Sequence, residues 1–548
     1  MWFVGWCGGV GLASELLRAG GPDPAPWPRY DVRIALDPQS FSAEGTIRWV
    51  NGTGAPVSDL PLLLAANAVR VPPVSVTRLE LIDGPPGRFE VGHPSDRRLV
   101  FDAPVPPGGA VTVGFAVGGP LSQLPDDVND LFAQGMAQLD ALRGAAGGGD
   151  YGLLATGDGI TVLTGAFPVI GPAADGAWAA RVLRLDAPIG DLAWNGPASF
   201  RVEVTTPVGL RVVTNLVDAP VVVRGDHQVV VCSGEGVSDL AVVAARDWVV
   251  REQRVGAVTV RSWAREPDAA AGATVLSAGA QALSALERYG PYPFAELDLV
   301  EASLAGGAGG VEFGSLALIG GFLYGRGSLG WLGGAVPDLA EQRGFVVAHE
   351  VAHQWAPGVV GVDAWNHPVV DEALAQYLAW RVRSDGRSTA QAEALATQQL
   401  SANYALMRLL GTPDAPAAAS TSAFVSNLQY AGVVYGKAPG LYRALERSIG
   451  RPALDRAIRQ AVEARGWTTS TAEQWLAALE AGGATGARAL GARWWSEAHG
   501  DEDLGFDPAG GAALEPLVGR AVADQLTRAC ATIGKSPADC LKMVLGTP

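Results

Sequence analysis

His349-Glu350-Val351-Ala352-His353, followed after eighteen residues by Glu372, is the stretch that decides how this chain of 548 residues is to be read. The two histidines are four apart. On a helix both imidazoles then leave the same face, one turn apart, and two ring nitrogens can bind one zinc ion. Glu350 projects on nearly the same side, where it can reach a water held by that ion. Catalytic zinc ordinarily takes three protein ligands and keeps one position open. Glu372, on a second helix, is placed to supply the third. One Zn2+ per chain on His349, His353 and Glu372 is therefore expected, with Glu350 as general base. The competing account is a helix with two ordinary histidines. With six His and 23 Glu in the chain, the motif arises by chance only about 0.003 times per chain of this composition.

Around this motif the chain reads as globular and multidomain. Hydrophobic residues make up 48% and charged residues 18%, which excludes a disordered chain. The net charge is −16, from 40 Lys and Arg against 56 Asp and Glu. Phosphate binding needs a basic surface, so nucleic acid is not expected as a partner. Four cysteines are present. Cys530 and Cys540 are either a disulfide or two free thiols, and Cys232 reads as a buried strand residue. The first seventeen residues are apolar and Gly-rich, interrupted by Glu15. They are a leader remnant, an anchor or a loosely packed start, so membrane association stays open. With the pairable cysteines, they tilt the compartment towards the cell envelope or the exterior.

From Tyr30 to about Trp248 the pattern has period two. Tyr30, Val32, Ile34 and Leu36 alternate with Asp31, Arg33 and Ala35, and turn signals punctuate the strands. Asn51-Gly52 reads as a hairpin turn within a formal glycosylation sequon. From about Gly256 the character changes. A strand over 258–263 leads to a helix over 269–289, an apolar strand over 297–300, and Val311-Glu312-Phe313 at a strand edge. Residues 320–335 read as a Gly-rich loop. The motif helix is expected over 342–355 and the next over 370–383. Beyond Thr389 the chain reads helical to about Glu497, with one or two helices in the tail.

These residues resemble the gluzincin aminopeptidases of the aminopeptidase N type. The H-E-x-x-H signature and its eighteen-residue spacing match at His349, His353 and Glu372. Gly309-Gly310-Val311-Glu312-Phe313 is similar to the family's G-x-M-E-N strand, with Val311 for Met and Phe313 for Asn. Tyr289-Gly290-Pro291-Tyr292-Pro293 looks like the segment before it. Tyr435-Gly436-Lys437-Ala438 resembles the Tyr-x-Lys-Gly region, with Ala438 for Gly, and Tyr430 stands five residues earlier, as a second Tyr does in some relatives. Tyr30-Asp31-Val32-Arg33 and Val237-Ser238-Asp239-Leu240 resemble parts of the family's β domain.

The resemblance covers most of residues 28–500 and implies a multidomain α+β fold. After an N-terminal segment (1–27), an antiparallel β-sheet domain, saddle or sandwich-like, spans 28–250. A thermolysin-like, mainly helical zinc-peptidase domain spans 251–500, and a helical tail 501–548. The large C-terminal helical-repeat domain of many relatives is not read here. The implied activity is release of N-terminal residues from peptides with a free amino terminus. Tyr435 would donate to the developing oxyanion, and Glu312 would pair with the substrate ammonium. Gly309, Gly310 and Tyr430 would line the substrate site. A gluzincin endopeptidase and a catalytically silent scaffold are the alternatives. Asp371 reads as a partner orienting a ligand histidine or as a helix-start residue. Lys437 reads as a solvated residue or an electrostatic neighbour of the site. His367 precedes Pro368 and is left out of the ligand set.

Overall fold

A computed structural model describes residues 27–69, 74–131, 133–134, 151–171, 173–174, 177–178, 196–325, 339–510 and 512–545. The apolar start with Cys7, and residues 326–335 of the Gly-rich stretch, lie outside the described residues. In the N-terminal region, strict alternation sets the architecture. Along Arg29–Leu36 every second side chain is buried, so Tyr30, Val32, Ile34 and Leu36 face one core. This strand pairs antiparallel with Ser40–Val50 and parallel with Ala198–Pro207, inside an eight-stranded sheet. A five-stranded, a four-stranded and a two-stranded sheet make up the rest of the described region. Tyr30 stacks on its cross-strand partner Phe200 within this sheet, and Phe115 stacks on Phe167 from the loop after Ile160–Thr164.

Asn51-Gly52 is not a hairpin. The strands on either side, Ser40–Val50 and Val57–Leu63, belong to different sheets. The Asn51 side chain is buried and donates to the carbonyls of Ala55 and Val105. It therefore serves as a structural link between sheets, and its amide is closed to glycosylation.

The second region opens with a five-stranded mixed sheet. Its spatial order is Trp248–Val255, Val258–Arg265, Glu296–Ala302, Leu316–Gly320 and Gly310–Phe313. The central pairings are parallel, and the helix Ala269–Leu286 supplies the crossover from Val258–Arg265 to Glu296–Ala302. This helix is long and apolar enough to cross a membrane by composition. It instead buries Val275, Leu283 and Leu286 in the core shared with the sheet. Gly279 permits that approach, since a Cβ there would lie 2.2 Å from Leu299 Cδ1. Gly310–Phe313 is the outermost strand, with a partner on one side only.

Helices follow. The motif helix spans Leu339–Ala352 and the next Val369–Ser384. The first begins three residues earlier than its expected start and gives way to turns after Ala352. The region beyond Thr389 is interrupted by loops and by a short strand, Thr469–Ser470, that pairs with Gly361–Val362. The tail is more segmented than expected, with helices at Gly500–Leu504, Glu515–Val518, Arg520–Thr532 and Pro537–Leu545. A Cys530–Cys540 disulfide joins the last two, with Cα atoms 6.1 Å apart. Cys232 is a buried free thiol on its strand.

Candidate metal centre

The motif helix is anchored by Phe345, Val347 and Val351 in the helical core. The second helix is buried on nearly all sides from Val369 to Val382, as expected of a central helix. Packed together, they bring three donor atoms into a small triangle. His349 Nε2 lies 3.0 Å from His353 Nε2. Glu372 Oε2 is 3.2 Å from His349 Nε2 and 3.4 Å from His353 Nε2. A tetrahedral ion with bonds of about 2.0–2.1 Å spaces its ligand atoms about 3.3 Å apart. Glu372 Oε2 is buried and makes no hydrogen bond. The donor set thus has the chemistry and spacing of one face of a tetrahedral zinc site.

The ring orientation is set from behind. His353 Nδ1 lies 2.9 Å from the Ala356 carbonyl. That oxygen can only accept, so Nδ1 carries the proton and the Nε2 lone pair points inward. Glu312, Glu350 and His353 also cluster within 4.8 Å of one another. His353 has one lone pair to give, however, and the tighter triangle with Glu372 uses it.

Three buried carboxyl groups, Glu350, Asp371 and Glu372, and the partly buried Glu312 crowd this point. Burial pushes Glu312, Glu350 and Asp371 above the usual carboxylate range. Burial would raise Glu372 as well, but the facing His353 charge and both imidazole contacts hold it below that range. Burial opposes charge on both histidines. It keeps His349 low, whereas the Glu312 and Glu372 carboxylates carry His353 well above its ordinary value. A divalent cation at this point would favour the charged forms of these acids and balance them.

The remaining expected residues surround the triangle. Gly310 lies against Glu350, and a Cβ there would meet the Glu350 carboxyl at 2.5 Å. Glycine at this position lets the strand backbone press on the acid and hold it in place. Gly309 is looser, since a Cβ would come 3.3 Å from Val346 Cγ2. Glu312 reaches within 4.0 Å of His353 Nδ1. The Phe313 side chain is buried among apolar residues of the sheet, so the position that departs from the family strand offers no polar group. Tyr435 donates its hydroxyl hydrogen to Glu372 Oε1. Its ring lies 5.9 Å from that of His349 and 5.7 Å from that of Tyr430. Both tyrosines sit at a short π-helix, Ala431–Lys437, a geometry that recurs at functional sites.

Two open readings close. Asp371 Oδ1 accepts from the Glu372 backbone N–H, as a residue in a first helical turn does, and its other oxygen has no partner. Lys437 is neither solvated nor beside the metal ligands. It is buried, paired with Asp414 at 2.9 Å, and donates to the carbonyls of Ala415 and Glu497. It anchors the segment that carries Tyr435. No sequence spacing announces Asp414 or Ala356, because both act across loops.

Residues 338–494 match the Peptidase family M1 domain, and this span contains the whole donor triangle and Tyr435. Over that span the chain is similar to peptidase family M1. Among its relatives, an Aminopeptidase M1 of Arabidopsis thaliana is 23% identical over 317 residues, covering 55% of this chain and 34% of the plant protein. The chain thus aligns with about a third of that relative's length. Crystal structures of an M1 zinc metallopeptidase from Deinococcus radiodurans, native and mutant, superpose with a TM-score of 0.55 at 16% identity. They cover 85% of this chain and 93% of theirs, so both the β-rich region and the helical region share the fold of that metallopeptidase.

Proposed function

We propose that this chain is a zinc aminopeptidase that removes N-terminal residues from peptides. The observation that carries the reading is Glu312, a partly buried carboxylate beside the donor triangle and within 4.0 Å of His353. A carboxylate there can pair with the ammonium of a free amino terminus and register the first peptide bond over the metal. His349, His353 and Glu372 would hold zinc. When bound, zinc supplies a Lewis acid for the scissile carbonyl and lowers the pKa of water towards ~7. Glu350, pressed into position by Gly310, takes the proton of the attacking water and passes it to the leaving amine. Tyr435 can turn its hydroxyl from Glu372 to the developing oxyanion, and Glu372 marks how near that oxyanion would be. Gly309, Gly310 and Tyr430 border the same space. We also propose an extracytoplasmic setting, supported by the Cys530–Cys540 disulfide.

The test compares turnover of an amino-acid anilide with that of its N-acetylated form, alongside metal analysis. An aminopeptidase holds one zinc per chain and loses nearly all activity on the blocked substrate. Equal rates on both would mark an endopeptidase, and full zinc with no turnover on any peptide would mark a silent scaffold.

A further inference from the structure

Gln354 directly follows the second histidine of the motif, and its carboxamide is buried with both ends bonded. Nε2 donates to the Phe313 carbonyl at 2.9 Å, and Oε1 accepts from the Ser315 backbone N–H at 2.8 Å. These groups flank Gly314 in the two-residue turn that joins Gly310–Phe313 to Leu316–Gly320. The side chain does for this turn what a peptide group of a neighbouring strand would do. Ser315 has a φ of 67°, a conformation that non-glycine residues keep only where surroundings impose it. Three groups impose it here. The Ser315 hydroxyl donates to the Asn215 carbonyl, the Ser315 carbonyl accepts from Asp298 N–H, and Gln354 takes the remaining N–H.

Of these three, only Gln354 belongs to the segment that carries the donor histidines. Glu312 is one residue from Phe313, and Gln354 is one residue from His353. The strand between them is the outermost of its sheet, so pairing on one side does not set its distance from the helix. Gly309, Gly310 and Gly314 contribute no side chains, so the packing of this segment rests on Val311 and Phe313.

We propose that Gln354 is a positioning residue that registers Glu312 against the metal ligands and so sets the preference for a free amino terminus. This rests on the aminopeptidase reading above. Gln354→Met keeps the length and removes both hydrogen bonds. The ratio of kcat/KM on a free aminoacyl anilide to that on its N-acetylated form should fall about tenfold to hundredfold, as expected for a carboxylate misplaced by about 1 Å. The loss should fall mainly on KM for the free amine, with zinc still at one per chain. A double-mutant cycle separates positioning from mere stability. Acting through Glu312, Gln354→Met should cost nothing further on this ratio in a Glu312→Gln background. An unchanged ratio in the single variant, or full additivity in the double, overturns the proposal. If Gln354→Met does not hold zinc, Gln354→Glu, nearly isosteric and still accepting from Ser315, carries the same measurement. A native chain without preference for the free amine sinks the aminopeptidase reading, and this proposal with it. A native chain with that preference, matched by Gln354→Met, sinks this proposal alone.

Discussion

The ligand helices and the edge hairpin meet at one point but are built on different principles. Helices Leu339–Ala352 and Val369–Ser384 place His349, Glu350 and Glu372 by periodicity and by burial in a large core. The hairpin Gly310–Gly320 places Glu312 by contacts from outside itself: the Gln354 amide, the Asn215 carbonyl and the press of Gly310 on Glu350. A periodic element tolerates change at a distance, because its geometry is intrinsic. An edge hairpin inherits its geometry, so remote changes should reach it.

Substitutions can break or sharpen this contrast. The largest effect should come from the helix side. Glu350→Gln should lower kcat by up to about 10⁴-fold while zinc stays bound, since amide and carboxyl fill the same space. Metal analysis with anilide turnover checks it, and comparable rates in both proteins would remove Glu350 as the base. Next is Lys437→Met. It leaves Asp414 buried without its cation and should cost about 3–5 kcal/mol of stability, read from denaturant unfolding. Tyr435→Phe removes the hydroxyl that now reaches Glu372 and should lower kcat about 10²- to 10³-fold with little change in Tm.

On the hairpin side, Gly310→Ala inserts a methyl that would lie 2.5 Å from the Glu350 carboxyl. Turnover should fall about 10²-fold through displacement of the acid, with a smaller change in melting temperature. An active Gly310→Ala enzyme would show that the strand yields and that the hairpin does not hold Glu350 in place.

The smallest expected effect on turnover is at Glu301, on the strand that pairs with Leu316–Gly320 of the hairpin. Glu301 is buried beside Asp268 and accepts from Arg265 N–H; burial and the neighbouring carboxyl push it up to about 9. Its folded pKa lies above the ordinary carboxylate value, so the folded chain keeps a proton that the unfolded chain releases. The stability tied to that proton is complete below the ordinary carboxylate pKa and is lost as pH rises through about 9. Glu301→Gln should therefore flatten the fall in melting temperature between pH 5 and about 9. An unchanged pH profile would mean that Glu301 is ionised in the folded chain.

The legibility of the molecule follows the same division. His349, His353 and Glu372 were readable because one helical turn and a fixed spacing are local facts. The alternation from Tyr30 to Leu36 announced a half-buried strand for the same reason. Asn51-Gly52 misled, because the dipeptide favours a turn wherever it stands and cannot say which strands the turn joins. Lys437 stayed open between two readings, because its partner Asp414, 23 residues away in sequence, is brought against it only by the fold.

The sequence alone determined the donor atoms, their helices and the alternation that builds the β-rich region, since periodicity fixes which face a side chain leaves from. Tertiary structure alone decided how far Glu312 stands from the ligands, which nitrogen of His353 faces inward, and what Lys437 and Gln354 hold. Those are distances between segments, and they exist only once the core has brought the segments together.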